Sequence, residues 1–295
     1  MNYTDKYVYG ENVENEYPDV QISIERISPE VAACMLEKNT HNRAIGRQPL
    51  DYAMLTGQWV LNGDAIVFSE EGVLLNGQHR LTALVKTNTS ADFIVARGIK
   101  REAQVTMDVG KKRTLADYLK MDGFSDYTKV AAVTAALMRV DAFGLDSHFS
   151  HRSTCDWKVT LLEQYRFATT EYERRIKPIL RDSIAVAQEY KLRIGLVAPL
   201  FEAFREVDEN DFAEFASQLR GLSTQCQPVQ KLVKVLNENK VNDKSISYRT
   251  LAAYFIKAWN AYMRGEDIPW LRFRTGGATP ESFPVIYKPD YEMRD

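Results

Sequence analysis

The run Leu74-Leu75-Asn76-Gly77-Gln78-His79-Arg80-Leu81 holds the densest set of groups in the chain able to meet an anion. A glycine where an apolar strand pattern passes into a helical one lets the backbone come close to a ligand. The first amides of the following helix have no partner within it and sit at the positive end of its dipole. Arg80 adds a permanent cation suited to bidentate contacts. His79 adds an imidazole that donates to the same oxygens or exchanges a proton near neutral pH. Asn76, Gly77, Gln78, His79 and Arg80 thus form a candidate phosphate cradle, with His79 and Arg80 as candidate catalytic groups. The same residues equally suit a tight turn whose Arg80 pairs with a nearby carboxylate.

A second constellation is Met107-Asp108-Val109-Gly110-Lys111-Lys112-Arg113-Thr114-Leu115-Ala116-Asp117. Between Arg97 and Arg113 there are six bases and two acids, a local excess of four in a chain whose formal charge is −2. Lys111, Lys112 and Arg113 can neutralise phosphates. Thr114, as N-cap with Asp117 three residues on, opens a helix that another phosphate could meet. A solvated basic turn explains the cluster as well, and GKKRT lacks P-loop spacing. Asp108, before a glycine and a basic run, stands where a catalytic carboxylate would be held, although pairing with Lys111 or Lys112 accounts for it too. Asn42 and Arg43, in His41-Asn42-Arg43 ahead of Arg47, suit a helix-ending Asn and a surface arginine. Asp64 suits a turn hydrogen bond better than a metal or a hydroxyl. His148 and His151 have i, i+3 spacing but only Cys155 and Asp156 as neighbours, so no metal site is expected.

Several elements must position these groups. Val20, Ile22 and Ile24 alternate with polar residues as in a half-buried strand, and Ser28-Pro29-Glu30 reads as a cap and first turn for a helix over 30–38. A second helix is expected over 49–57, short strands at 65–68 and within Ser69–Leu75, a strand over 93–96, a short helix over 101–107 and another over 114–120. Beyond Phe124 the pattern becomes helical: 130–143, 157–168, 172–190, 197–207, 211–219, 227–240 and 248–264. Tyr254, Phe255, Trp259 and Tyr262 form the buried stripe of the last. The closing segment, rich in Pro, Gly and aromatics, reads as an irregular arm that Arg272 and Arg274 anchor or with which they touch DNA. The fold class is therefore α+β. The expected division is an acidic arm at 1–19, a short-stranded αβ domain at 20–123, a helical domain at 124–268 and an arm at 269–295.

Composition sets the outer bounds. At 295 residues, 45% hydrophobic and 26% charged, the chain can bury a core without disulfide or metal staples. Thirty-eight basic against 40 acidic residues exclude a chain that binds nucleic acid through its overall charge. The balance is −3 over 1–124 and +1 over 125–295. Cys34, Cys155 and Cys226 are scattered, lack CxxC spacing and read as buried thiols of a reducing cytoplasm. The acidic start lacks the apolar core of a leader, and no stretch is apolar enough to span a membrane.

The arrangement SIERISPEVAACMLEKN, then LNGDAIVFSEEGVLLNGQHRLTAL, then VARGI resembles the ParB/sulfiredoxin-like superfamily over roughly Val20 to Leu119. In that superfamily a glycine turn entering a helix binds nucleotide phosphates, with GERR-like strings in the ParB branch, GCHR in the sulfiredoxins and DGQHR in proteins related to the DndB regulators of DNA phosphorothioation. Asn76-Gly77-Gln78-His79-Arg80 is most similar to the last. The whole chain, with NGQHRL and MDxGKKRTLxD, is similar to phage and bacterial ParB-like proteins. The resemblance implies Gly77 as the turn, His79 and Arg80 as phosphate contacts and the 77–80 amides as the cradle, and it places Arg43 near the nucleotide as a nucleobase or phosphate contact. Gln78 stands at the sulfiredoxin cysteine position, so sulfinic acid reduction is not implied, and it replaces the acidic member of the ParB string. The expected function is binding of ATP or CTP with Mg²⁺, followed by hydrolysis or transfer of the terminal phosphate to water, a small hydroxyl compound or DNA, as a kinase or NTPase. The alternatives are a DNA-binding regulator or partition-like protein, whose helical domain supplies specificity or a homodimer contact, and a nuclease, for which no carboxylate cluster suited to two metals is present.

Overall fold

The structure, a computed structural model, describes residues 13, 16–39, 50–107, 113–150, 158–241, 246–276 and 280–289. The chain divides into two compact units, Met1–Lys112 and Arg113–Asp295. Among the described residues, mixed α and β structure is confined to the first, and the regular structure of the second is helical.

In the first unit, β1 (Gln21–Ile27), β2 (Ile66–Ser69), β3 (Leu74–Asn76) and β4 (Ala91–Ile99) form one sheet in the order β1-β4-β2-β3. β4 is antiparallel to β1, with Ile24 opposite Ile94, and parallel to β2, with Ile66 opposite Val95. Three helices, α1 (Pro29–Glu37), α2 (Leu50–Leu55) and α3 (Gln78–Thr87), share a core with one face of this sheet. Ile27, Ile66, Phe68, Leu74, Phe93 and Val95 meet Ala32, Met54, Leu81 and Leu84 there. Trp59 closes the edge of that core, its ring 4.9 Å from Phe93 and its Nε1 donating to the Asp92 carbonyl at 3.0 Å. Ser28 accepts from the Val31 amide and Pro29 opens α1, as the sequence requires.

β1 departs from the half-buried reading. Ile22 and Ile24 are 72% and 68% exposed, because they share a side with Ala96 and Ile94, on the face opposite the three helices. Alternation identified the strand; it could not say which side the helices would cover. β4 is longer than expected, and the short helix expected over 101–107 is a 3₁₀ helix over Arg101–Thr106.

The second unit contains α4 (Leu115–Met121), α5 (Tyr127–Phe149), α6 (Leu161–Thr170), α7 (Lys177–Glu189), α8 (Ile194–Arg205), α9 (Glu209–Leu219), α10 (Gln227–Val241) and α11 (Tyr248–Arg264). Leu115 and Leu119 lie in its core, so α4 belongs here and the division falls at 112/113, earlier than the change of pattern at 124. Trp259 is fully buried, stacked on Phe204 at 4.6 Å and edge-on to Phe215 at 5.3 Å.

Two prolines shape this unit. Pro178, near the start of α7, lacks the amide that would reach the Arg174 carbonyl, and a π-helical turn over Tyr172–Ile176 precedes it. Arg205 Nη2 donates to that carbonyl instead, at 3.1 Å. Pro199, inside α8, likewise leaves the Gly195 carbonyl without its i+4 donor, and His148 Nε2 occupies that place at 3.0 Å.

The closing segment is irregular, as expected, and is tied down by side-chain amides. Gln227 bonds both the amide and the carbonyl of Ile268, while Asn260 bonds the Val285 carbonyl and the Tyr287 amide.

Candidate functional site

β3 runs directly through Gly77 into α3, so the strand-turn-helix unit anticipated from NGQHR is formed. Gly77 is the N-cap with φ +110°, a left-handed conformation that side chains rarely adopt. A Cβ there would lie 3.0–3.2 Å from the side chain of Ile66, so the residue both turns the chain and seats it on β2. The Arg80 and Leu81 amides close on the Gly77 carbonyl, each at 3.0 Å.

The side chains of this turn divide by direction. Arg80 is only 9% exposed; its guanidinium reaches the Asp64 carbonyl, the Ala65 carbonyl at 3.0 Å and Asn76 Oδ1 at 3.4 Å. These acceptors are the backbone leading into β2 and the end of β3, so Arg80 braces the turn from behind. Backbone carbonyls are thus among the partners of Arg80, alongside the phosphate and the carboxylate that the residue types suggest. Gln78 is buried. His79 is half-buried, and its Nδ1 is enclosed without a hydrogen-bond partner. Asp64 offers its carbonyl to Arg80, and its amide donates to Asn62 Oδ1 at 3.0 Å, so it is the side chain of Asn62 that makes this turn hydrogen bond.

Within the basic stretch, Arg97 already has a partner. Arg97 binds both carboxylate oxygens of Glu25 at 2.5 and 3.0 Å, and the guanidinium holds the Glu25 carboxyl below its ordinary range. Arg101 lies near enough to Glu71 to favour its charged form, chiefly fixed by the Ser69 hydroxyl. Thr114 and Asp117 form a complete capping box: Asp117 Oδ2 accepts from the Thr114 amide at 2.7 Å and from its hydroxyl at 2.8 Å. A carboxylate already occupies that helix start. Arg113 and Thr114 fall in the second unit, whereas the Gly77 turn belongs to the first. Arg43, Asp108, Lys111 and Lys112 lie outside the described residues.

The histidine pair resolves on one side only, since His151 also lies outside the described residues. His148 serves the carbonyl freed by Pro199, and burial, with Arg139 nearby, lowers its pKa. A histidine kept neutral in the fold binds fewer protons than the unfolded chain does. Stability contributed by the neutral form is therefore lost as pH falls below about 6.5. The expected result is a lower urea midpoint for the second unit at pH 5.5 than at 7.5. The slope is at most about 1.4 kcal/mol per pH unit, reduced because the ring is partly exposed. His148→Asn should lessen it; an unchanged slope in the variant would exclude His148 as the cause.

A second feature, which the sequence did not disclose, is a cleft of about 930 Å³ beside α1. Its wall is the stripe Glu30, Cys34 and Lys38 with Val31 and Met35; its floor includes Phe68 and the cross-strand pair Gln21 and Arg97. Cys34 is exposed here rather than buried as read from composition, and Cys226 is half-buried. Glu30, Cys34 and Lys38 are spaced four apart, the one signal that could have marked this wall. The cleft sits where β2 turns toward β3 at Ser69–Gly72, whereas Gly77 packs on Ile66 at the other end of the hairpin.

Among the described residues no group of three His, Cys, Asp or Glu could hold a metal ion, and no helix is long and apolar enough to cross a membrane. No family model, curated protein or solved structure matches the chain.

Proposed function

We propose that the first unit is a ParB/sulfiredoxin-like nucleotide-binding module that holds the phosphates of ATP or CTP at the Gly77–Gln78–His79 turn, and that the protein hydrolyses the NTP or transfers its terminal phosphate in DNA-related metabolism. The observation carrying this reading is the turn itself, with a left-handed glycine between β3 and α3 and His79 at the second helical position. An N-terminus of a ten-residue helix presents amides and a positive dipole end to an anion.

In this reading His79 donates to a phosphate oxygen, and Arg80 holds the turn in shape through the Asp64 and Ala65 carbonyls. Preorganised donors that need not reorganise are what phosphoryl transfer asks of a protein. Mg²⁺, if it accompanies the nucleotide, would be held chiefly by the phosphates with one or two protein carboxylates, for which Asp108 is the sequence candidate.

Because Arg80 is structural in placement, the informative variant is His79→Ala. It should weaken ATP or CTP binding at least about tenfold, corresponding to loss of a charge-assisted hydrogen bond worth about 1.5–3 kcal/mol, with little change in melting temperature. Calorimetry and turnover assays on the full chain check this. Absence of heat and of thermal stabilisation with both nucleotides would overturn the reading. A salt-sensitive shift of duplex DNA in their place would favour the regulator.

A further inference from the structure

The cleft beside α1 is framed by backbone bonds rather than by loose side chains. The Leu74 amide donates to the Lys38 carbonyl at 3.0 Å, tying the end of α1 to β3, and the Glu70 amide donates to the Ile99 carbonyl at 3.1 Å, tying the hairpin turn to the end of β4. Gly98 brings the remaining wall in. At φ +78° it has no Cβ, and one built there would stand 2.0 Å from the Asp19 carbonyl oxygen, so Asp19 reaches the rim only because residue 98 is glycine. A preformed concavity of this size, part apolar and part ionic, is what small-ligand sites look like.

Its charges favour one class of ligand. Arg97 is matched by the bidentate Glu25 and also lies 5.7 Å above the Phe68 ring, while neighbouring Glu71 faces Arg101. Among the described residues the other ionic lining groups are three carboxylates, Asp19, Glu30 and Glu70, against one ammonium, that of Lys38. The Ser28 hydroxyl donates to Glu30 at 2.6 Å. Val31, Met35 and Phe68 provide the apolar surface between these groups.

We propose that this cleft binds a small organic cation, an ammonium or guanidinium on a short apolar stem, with the stem against Val31, Met35 and Phe68 and the charge at the rim formed by Asp19, Glu30 and Glu70. The site is independent of the nucleotide reading, since it lies at the opposite end of the β2–β3 hairpin from Gly77. Cys34 lines it and reports on its occupancy.

The test uses agmatine with the full chain. It reads the methyl resonance of Met35 and the rate of alkylation at Cys34, mapped by mass. Agmatine should shift Met35 saturably and slow alkylation of Cys34. Glu30→Gln and Glu70→Gln should each weaken binding about two- to fivefold, as expected for exposed charge pairs, and Lys38→Met should strengthen it. Both effects should shrink at high salt. The proposal is overturned if agmatine at millimolar concentration leaves Met35 and Cys34 unaffected, if uncharged pentanol acts as strongly, or if ATP protects Cys34 in agmatine's place. His79→Ala, which tests the turn, should leave agmatine binding unchanged.

Discussion

Arg175→Met is expected to destabilise the helical unit by about 3 kcal/mol or more, the range for breaking a buried ion pair by removing one partner. Arg175 donates through Nε to Glu202 at 2.8 Å and through its two terminal nitrogens to Asp141 at 2.7 and 3.0 Å. Glu202 is only 3% exposed. Without Arg175 its charge retains Arg205, whose contacts of 3.3–3.4 Å are longer, so a nearly buried carboxylate loses its better partner. Glu202→Leu should cost less, because Arg175 keeps the bidentate Asp141 and Arg205 keeps the Arg174 carbonyl. The double variant, with a methionine facing a leucine, should be more stable than the sum of the single losses implies. Denaturant unfolding followed by near-ultraviolet dichroism, to which the buried Trp259 contributes, checks the cycle. A loss below about 1 kcal/mol for Arg175→Met would show that the network is not stabilising in the way its burial indicates.

Gly98→Ala should damage the first unit by about 2–5 kcal/mol, the strain of a left-handed alanine added to an overpacking cost. The decisive quantity is the 2.0 Å separation between the added Cβ and the Asp19 carbonyl, because a backbone oxygen cannot swing aside as a side-chain tip can. Gly77→Ala provides the comparison. Its φ is also positive, but its Cβ would meet Ile66 side-chain atoms at 3.0–3.2 Å, a contact that a few tenths of an ångström relieve. Gly98→Ala is therefore expected to cost more than Gly77→Ala and to displace residues 19–20 from β4. Amide hydrogen exchange along β1 and β4 reads both outcomes. Equal protection in the Gly98 variant and the parent would contradict the close approach.

Much of this architecture was legible because the determinants are local. Ser28-Pro29, Thr114 with Asp117, and the stripe through Phe255 and Trp259 act within a few residues, and each appears as read. Gly77 was legible too, since strand, glycine and helix follow one another directly. The side of β1 that faces the helices was not, because an alternating strand fits a core with either face.

The sequence alone therefore determined where the chain turns, where most helices begin, and that NGQHR joins a strand to a helix. Those follow from dihedral preference and periodicity. Only the tertiary structure decided where the side chains spend their charge: Arg80 on the Asp64 and Ala65 carbonyls, Arg97 on Glu25, and His148 and Arg205 on carbonyls that Pro199 and Pro178 leave without donors. The reason is physical. A cation or an imidazole pairs with whatever unsatisfied acceptor the packed chain brings within about 3 Å, and several of these acceptors lie tens of residues away in sequence.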